Sequence, residues 1–445
     1  MKNKILTCLS TLAVCCVFSC SGQSHEKKEA AVTQPESNEM GPTPALATLP
    51  EPYATKSVRN FSKVIGWDSG HTPKAPEGFT VSRFGSDFKS PRWIYVLPNG
   101  DVLVAETKME PKGLKKAGEA LVGANKSSGN SDNMNRITIL RDKNHDGKPE
   151  LQDVFLSGLN MPFGMLVVGD HFYVACTDAL WRFPYKEGDL KITAAGEKIL
   201  DLPGDRRHWT KNIITNKQKN KIYIAIGSGS NVGEDGIDKE ARRARIIEVD
   251  LDGRNEKVYA YGLRNPVGMD WQPGTGVLWT AVNERDELGD DLVPDYITSV
   301  KEGGFYGWPY SYFGNHLDPR ISEKDRRPDL VDKAIVPDVE VGPHTASLGF
   351  MFYTKDRFPA KYHNGAFIGQ HGSWNRSVPT GYKVMFVPFT NGKAGRPEDF
   401  LTGFMENPEK NEVHGRPVGV VQMHDGSLLV ADDAGNSVWR VSYGK

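Results

Sequence analysis

Six copies of one pattern, strands that are apolar on both faces and no long run of helical periodicity predict an all-β chain folded as a six-bladed β-propeller. Four copies are plain. Trp93 to Glu106 reads WIYVLPNGDVLVAE, Gly164 to Cys176 reads GMLVVGDHFYVAC, Gly268 to Val282 reads GMDWQPGTGVLWTAV, and Gly419 to Asp432 reads GVVQMHDGSLLVAD. In each, an apolar strand, a tight turn of Pro, Asn, Asp or Gly and a second apolar strand make a hairpin. Weaker copies surround Ile213 to Ile226 and Leu348 to Ile368. Each interval between copies holds enough residues for a four-stranded sheet. The strand KIYIAI puts Ile222, Ile224 and Ile226 on one face and Tyr223 and Ala225 on the other. Such a strand suits a radial array, where every sheet packs between two others.

Taken in order, the chain opens with Lys2 and Lys4 followed by an apolar stretch from Ile5 to Phe18, too short for a comfortable membrane span and expected to be an export signal. Val17-Phe18-Ser19-Cys20 resembles a bacterial lipoprotein cleavage box, so residues 1–20 are read as a lipoprotein-type signal with Cys20 as the lipidated residue. Ordinary cleavage and release is the alternative. Cys8, Cys15 and Cys16 leave with the signal, and Cys176 remains as a lone thiol inside the apolar strand HFYVAC, a packed hydrophobe rather than a nucleophile. Residues 21–65 form a polar tether, poor in large apolar side chains. The protein is then exported and lipid-anchored, facing the periplasm or the cell surface, with the anchor as its one membrane contact. Residues 66–445 form a single propeller domain. Its extra strand GFTVSRF, Gly78 to Phe84, is expected to join the sheet ending in SVWRVSY and close the ring, and Lys239 to Arg245 invites a short helix. A net charge of −1, without a basic stretch interleaved with aromatics, gives no sign of a nucleic-acid partner.

Chemistry is expected where the loops converge at one mouth of the channel. His208, in the polar loop DRRHWTKN before the strand KIYIAIG, is held on a rigid support and titrates near neutrality, which suits a proton acceptor. Arg264 and Asn265, in YGLRNPVGM, would point into the channel, where a guanidinium and an amide can hold an anionic or quinoid ligand. Asp142, Asn144, Asp146 and Gly147, with Asp153 at the twelfth position, follow EF-hand loop spacing, but no helical pattern flanks them and a hairpin turn accounts for them better.

The order of the histidine loop, IYIAIG, LDG, YGLRNP and GGFYGWP resembles the pyrroloquinoline quinone-dependent soluble sugar dehydrogenases; VNERDELGDDLVPDY, GQHGSWNRS and GRPVGVV are similar to the sorbosone dehydrogenase branch. The resemblance covers the region from Gly66 to Tyr443. It implies a quinoprotein that oxidises a sugar, an aldose or aldosone, with His208 as the base. It further implies that Arg264, Asn265 and Arg416 contact the quinone, with Arg376 standing where the glucose enzymes carry a lysine. A calcium ion is implied on the carbonyls of Glu284 and Arg285. Arg207 and the Glu284-Arg285 pair depart from the glucose enzymes, so the sugar is not transferred, and the electron acceptor stays unknown. A propeller lactonase or other hydrolase and a non-catalytic sugar-binding propeller are the competing classes.

Overall fold

The computed structural model describes residues 49–108, 134–204 and 207–444. Cys20, the signal stretch and most of the tether lie outside the described residues. Among those described, six sheets of four or five strands hold most of the strand residues, and helix is confined to single short turns. All six predicted hairpins are present. Pro91–Val96 pairs with Val102–Glu106, Pro162–Val168 with His171–Cys176, and Lys211–Thr215 with Lys221–Ile226. Asn265–Trp271 pairs with Leu278–Asn283, Ser347–Phe352 with Ala366–Gln370, and Pro417–Gln422 with Leu428–Asp432.

Each hairpin continues outward as an antiparallel meander. The sixth is completed from the other end of the chain: Phe79–Gly85 pairs antiparallel with Ser437–Tyr443, as GFTVSRF predicted.

Glycines in the inner strands explain how closely the sheets approach. A side chain on Gly164 would meet the backbone of Lys211 to Ile213, one on Gly268 the backbone of Phe350, one on Gly349 the carbonyl of Val418, and one on Gly419 the carbonyl of Arg92. In every case the obstacle is the inner strand of the next sheet. The glycine at or next to the start of four of the repeats is therefore a packing requirement between neighbours. On the axis, Trp93, Phe163, Trp209, Val267, Leu348 and Val418 form one apolar cluster drawn from five inner strands and the loop just before Lys211. The strand Lys221–Ile226 is buried on both faces as expected. Ile222, Ile224 and Ile226 pack with Leu166, Tyr173 and Leu180 of the preceding sheet, and Tyr223 and Ala225 pack with Met269, Leu278 and Val282 of the following one.

Three expectations are corrected. The predicted helix over 239–245 is a single turn, Ile237–Glu240, because Arg245 already starts the strand Arg245–Asp250. The last part of the tether, 49–65, is fixed to the folded domain by backbone hydrogen bonds, including Tyr53 N to Leu288 O (2.7 Å) and Asn60 N to Trp374 O (2.7 Å). The third correction concerns the site residues and follows below. The EF-hand-like stretch is the turn between Arg136–Arg141 and Leu151–Leu156. Its acceptors bind the turn's own backbone: Gly147 N–H donates to Asp142 Oδ2 (2.7 Å) and Lys148 N–H to Asp146 Oδ1 (2.8 Å).

Candidate functional site

Residues at the starts of the inner strands and the ends of the second strands line a pocket of about 240 Å³. It contains His208, Arg264, Asn265, Glu284 and Arg416, together with Arg92, Asp286, His344, His371 and Trp374.

His208 is half-buried, and its Nδ1 lies 2.8 Å from Ser228 O and 3.0 Å from Ser228 Oγ. A carbonyl only accepts, and the Ser228 hydroxyl already donates to Ser230 O (2.6 Å), so Nδ1 carries the proton and Nε2 keeps its lone pair. Burial, and then the Arg264 charge, hold the histidine well below its ordinary pKa. The glycine-serine turn that supplies Ser228 is itself fixed by buried Glu240, which accepts from Gly229 N (2.6 Å) and Ser230 Oγ (2.5 Å).

Arg264 is buried, and its guanidinium is fully engaged by the protein. It donates to Asn231 O (3.3 Å), Asn283 O (3.4 Å), Glu284 O (2.5 Å), Asn231 Oδ1 (2.8 Å) and Asp286 Oδ2 (3.0 Å). It therefore brings charge to the pocket wall rather than spare donors. Asn265 differs: its buried Oδ1 has no hydrogen-bond partner. An orphaned buried acceptor of this kind points to a ligand. Arg416 donates to His371 O (2.9 Å) and Gly372 O (2.9 Å), its guanidinium lying 5.6 Å from the Tyr382 ring centre.

Asp286 bridges Arg264 and His344. His344 Nε2 lies 2.8 Å from Gly289 O and its Nδ1 3.4 Å from Asp286 Oδ1. Burial works against a charge on His344, but both ring nitrogens face acceptors and the pKa is raised. Burial raises the neighbouring carboxyl of Asp295 to about 6 although it accepts from Glu284 N, Ser347 N and Thr345 Oγ1.

A second group was missed at the sequence level. His371 Nε2 lies 2.9 Å and 3.0 Å from the two carboxylate oxygens of Asp433, which also takes a short hydrogen bond from Arg92 Nη1. Burial and the Arg416 charge lower the His371 pKa to about 4, while His371 and Arg92 hold Asp433 far below the carboxylate range against its burial. Arg92 Nε is buried without a partner, and the guanidinium lies 5.6 Å from the Trp209 ring centre. Aligning the repeats would have found them: Glu284, His371 and Asp433 each directly follow the second strand of a hairpin.

One expected site residue is elsewhere. Arg376 lies outside the pocket lining, because Asp291 Oδ1 (2.6 Å) and Asp290 O (3.2 Å) draw its guanidinium onto a loop. The Arg285 side chain, as distinct from the carbonyl expected to face calcium, is fully buried and paired with Glu284 (3.0 Å) and Asp318 (3.1 Å). The donor set for calcium does not fit as arranged: the Glu284 carbonyl already faces the Arg264 guanidinium, a cation that repels another at that oxygen. Among the described residues no group of three or more His, Cys, Asp or Glu is arranged to hold a metal ion.

Fold and site together define a β-propeller with an arginine- and histidine-lined ligand pocket at one end of its axis. Residues 197–373 match the family model described as glucose/sorbosone dehydrogenase, and residues 320–444 match one described as TrAA12-like. The chain is 29% identical over 301 residues to an uncharacterised protein of Borreliella burgdorferi, an alignment covering 64% of this chain and 77% of that protein. It is 23% identical over 331 residues to the pyrroloquinoline quinone-dependent pyranose dehydrogenase of Coprinopsis cinerea, covering 61% of this chain and 44% of the fungal protein. The solved quinone domain of pyranose dehydrogenase from that fungus superposes with a TM-score of 0.67 at 20% identity, over 86% of this chain and all (100%) of that domain. The similarity to the quinone-dependent sugar dehydrogenases expected from the motifs is thus shown.

Proposed function

We propose that the protein is a quinoprotein oxidoreductase that oxidises a sugar, an aldose or aldosone, with pyrroloquinoline quinone seated in the pocket. The six sheets are read as the blades of a six-bladed propeller, which the succession of inner strands and the closing of the last sheet by Phe79–Gly85 support. The observation that carries the functional reading is His208, neutral, with Nδ1 committed to Ser228 and Nε2 unprotonated beside a cationic pocket.

The lining fits a flat polyanion. Arg92 and Arg416 offer positive charge, Trp209 and Trp374 offer aromatic faces, Arg92 Nε is a donor without a protein partner, and Asn265 Oδ1 is an acceptor left for a ligand N–H or O–H. When bound, the quinone supplies the two-electron acceptor for the hydride leaving the sugar carbon. His208 Nε2 takes the proton of the hydroxyl on that carbon, and the Ser228 acceptors stabilise the imidazolium that forms. Arg264 helps to hold His208 neutral until then. No step is assigned to calcium.

The test joins binding and turnover. Purified protein is titrated with the quinone, and dye reduction is followed with aldoses and aldosones. The wild type is expected to bind and turn over. His208→Gln should still titrate and lose about a hundred- to ten-thousandfold in rate. Because the His208 pKa lies well below its ordinary value, the acid limb of the wild-type kcat/KM profile should fall well under pH 6.5. Near-normal turnover in the variant removes His208 from the chemistry. A wild type that neither binds quinone nor oxidises any sugar hands the protein to the lactonase or sugar-binding class.

A further inference from the structure

Residues 53–61 contribute no strand to any of the six sheets, yet they touch two loops of the pocket at once. One loop runs from Asn283, the end of a strand, to Pro294, and holds Glu284 and Asp286. The other runs from Gln370 to Lys383 and holds His371 and Trp374. On the first loop, Tyr53 N–H donates to Leu288 O (2.7 Å), Gly289 N–H donates to Ser57 Oγ (3.0 Å), and Asp290 N–H donates to Thr55 Oγ1 (2.7 Å). Gly289 has a φ of +118°, and Thr55 packs where its side chain would stand, so this approach requires glycine. On the second loop, Asn60 donates from N to Trp374 O (2.7 Å) and from Nδ2 to Ser377 O (2.8 Å), and Asn375 Nδ2 donates to Val58 O (2.7 Å). Phe61 stacks on Trp374 at 5.8 Å.

These contacts reach the pocket by short routes. Gly289 O accepts from His344, which pairs with Asp286, which pairs with Arg264. Trp374 lines the pocket directly. The loops touch each other directly, through Glu287 N–H donating to Asn375 Oδ1 (2.7 Å), Ser377 N–H donating to Asp290 Oδ1 (3.0 Å) and Arg376 donating to Asp290 O and Asp291 Oδ1, and the segment adds a further bridge that spans both. Irregular loops of this length open at low cost unless other contacts hold them, and a site that must be ordered on binding loses affinity.

We infer that residues 53–61 form a strap in cis that holds the 283–294 and 370–383 loops in their ligand-binding arrangement. Thr55, Ser57 and Asn60 are positioning residues, acting through Gly289 and Trp374. The inference rests on the quinone reading only for the identity of the ligand.

The test uses the full chain carrying Thr55→Val, Ser57→Ala and Asn60→Ala, and a conservative variant, Thr55→Ser with Ser57→Thr, that keeps both hydroxyls. Amide exchange is measured without ligand, together with the melting midpoint and the affinity for pyrroloquinoline quinone. In the triple variant the amides of Gly289 and Asp290 and those around Trp374 should exchange at least about tenfold faster. The strand Lys221–Ile226 and the midpoint should stay near wild type. Quinone affinity should fall roughly tenfold, the equivalent of one or two ordinary hydrogen bonds, and the conservative variant should recover it. Loops that exchange as in the wild type overturn the strap, and so does softening of the sheets in step with the loops. If the loops loosen as expected but the wild type binds no quinone, the strap stands and the quinone reading falls.

Discussion

His371 shows how one buried side chain couples the site to pH. Its Nε2 donates to Asp433 and its ring is enclosed with Arg92 and Arg416, so burial and cationic neighbours outweigh the carboxylate and leave a pKa of about 4. In the unfolded chain a histidine titrates near 6.5, on the order of its model-peptide value. The folded value is the lower one, so the unfolded chain takes up the proton first as pH falls. The stability contribution is therefore complete above about pH 6.5 and lost as pH falls toward 4, with a slope of at most about 1.4 kcal/mol per pH unit. Buried Asp270, Asp295 and Asp432, each raised to about 6, act in the opposite sense over part of that window. The difference between two proteins isolates the histidine. His371→Gln keeps a donor for Asp433, and urea unfolding from pH 4 to 7 should show a shallower acid loss than in wild type. Parallel curves would mean that the folded protein does not lower the pKa of His371.

At the scale of the element, the inner strand is the unit that decides both packing and chemistry. Its glycine lets the next sheet approach, and the residues just before its start face the pocket: His208 and Trp209 before Lys211–Thr215, Arg264 before Asn265–Trp271, Arg416 before Pro417–Gln422. Gly349 is the sharpest case, with the Val418 carbonyl and the Val420 amide (3.1 Å) where a side chain would go. Gly349→Ala should cost about 1–3 kcal/mol as overpacking between two sheets. Equilibrium denaturation measures it, and a loss under about 0.5 kcal/mol would show that the inner strands yield more readily than their contacts imply. Hairpins and closing strand were legible from alternation and turn residues, since both signals are local. The helix expected over 239–245 failed because the sheet drew Arg245 into a strand, a tertiary contact overriding a local preference.

For the whole molecule, the open question is where the protein resides. We propose that Cys20 carries a lipid anchor and that the propeller stands outside the cytoplasmic membrane, supported by the signal-like apolar stretch and the polar residues after it. Among the described residues no helix is long and apolar enough to cross a membrane. Cells carrying wild type and Cys20→Ser are fractionated. The wild type should pellet with membranes and the variant should move to the soluble fraction; identical soluble partitioning of both rejects the anchor.

The amino-acid sequence alone determined the β architecture, the six hairpins, the closing strand and the placing of His208 at the entry to a hairpin whose second strand is doubly buried. These depend on periodicity and turn chemistry within a few residues of each other. Tertiary structure alone decided which polar side chains share the pocket. Arg92 and Asp433 stand 341 residues apart and meet because the last sheet adjoins the first. Arg376, in the same motif as His371, is lost to the site because Asp291 is nearer. Arg264 was read as a free clamp, but its donors are spent on Asn231, Asn283, Glu284 and Asp286, three of them on backbone carbonyls that no residue type reveals. The stretch 49–65, polar enough to read as a tether, is ordered by hydrogen bonds to loops more than two hundred residues away. A polar side chain takes its role from whichever partner the fold brings within about 3 Å, and that distance is set by the ring of sheets rather than by neighbours along the chain.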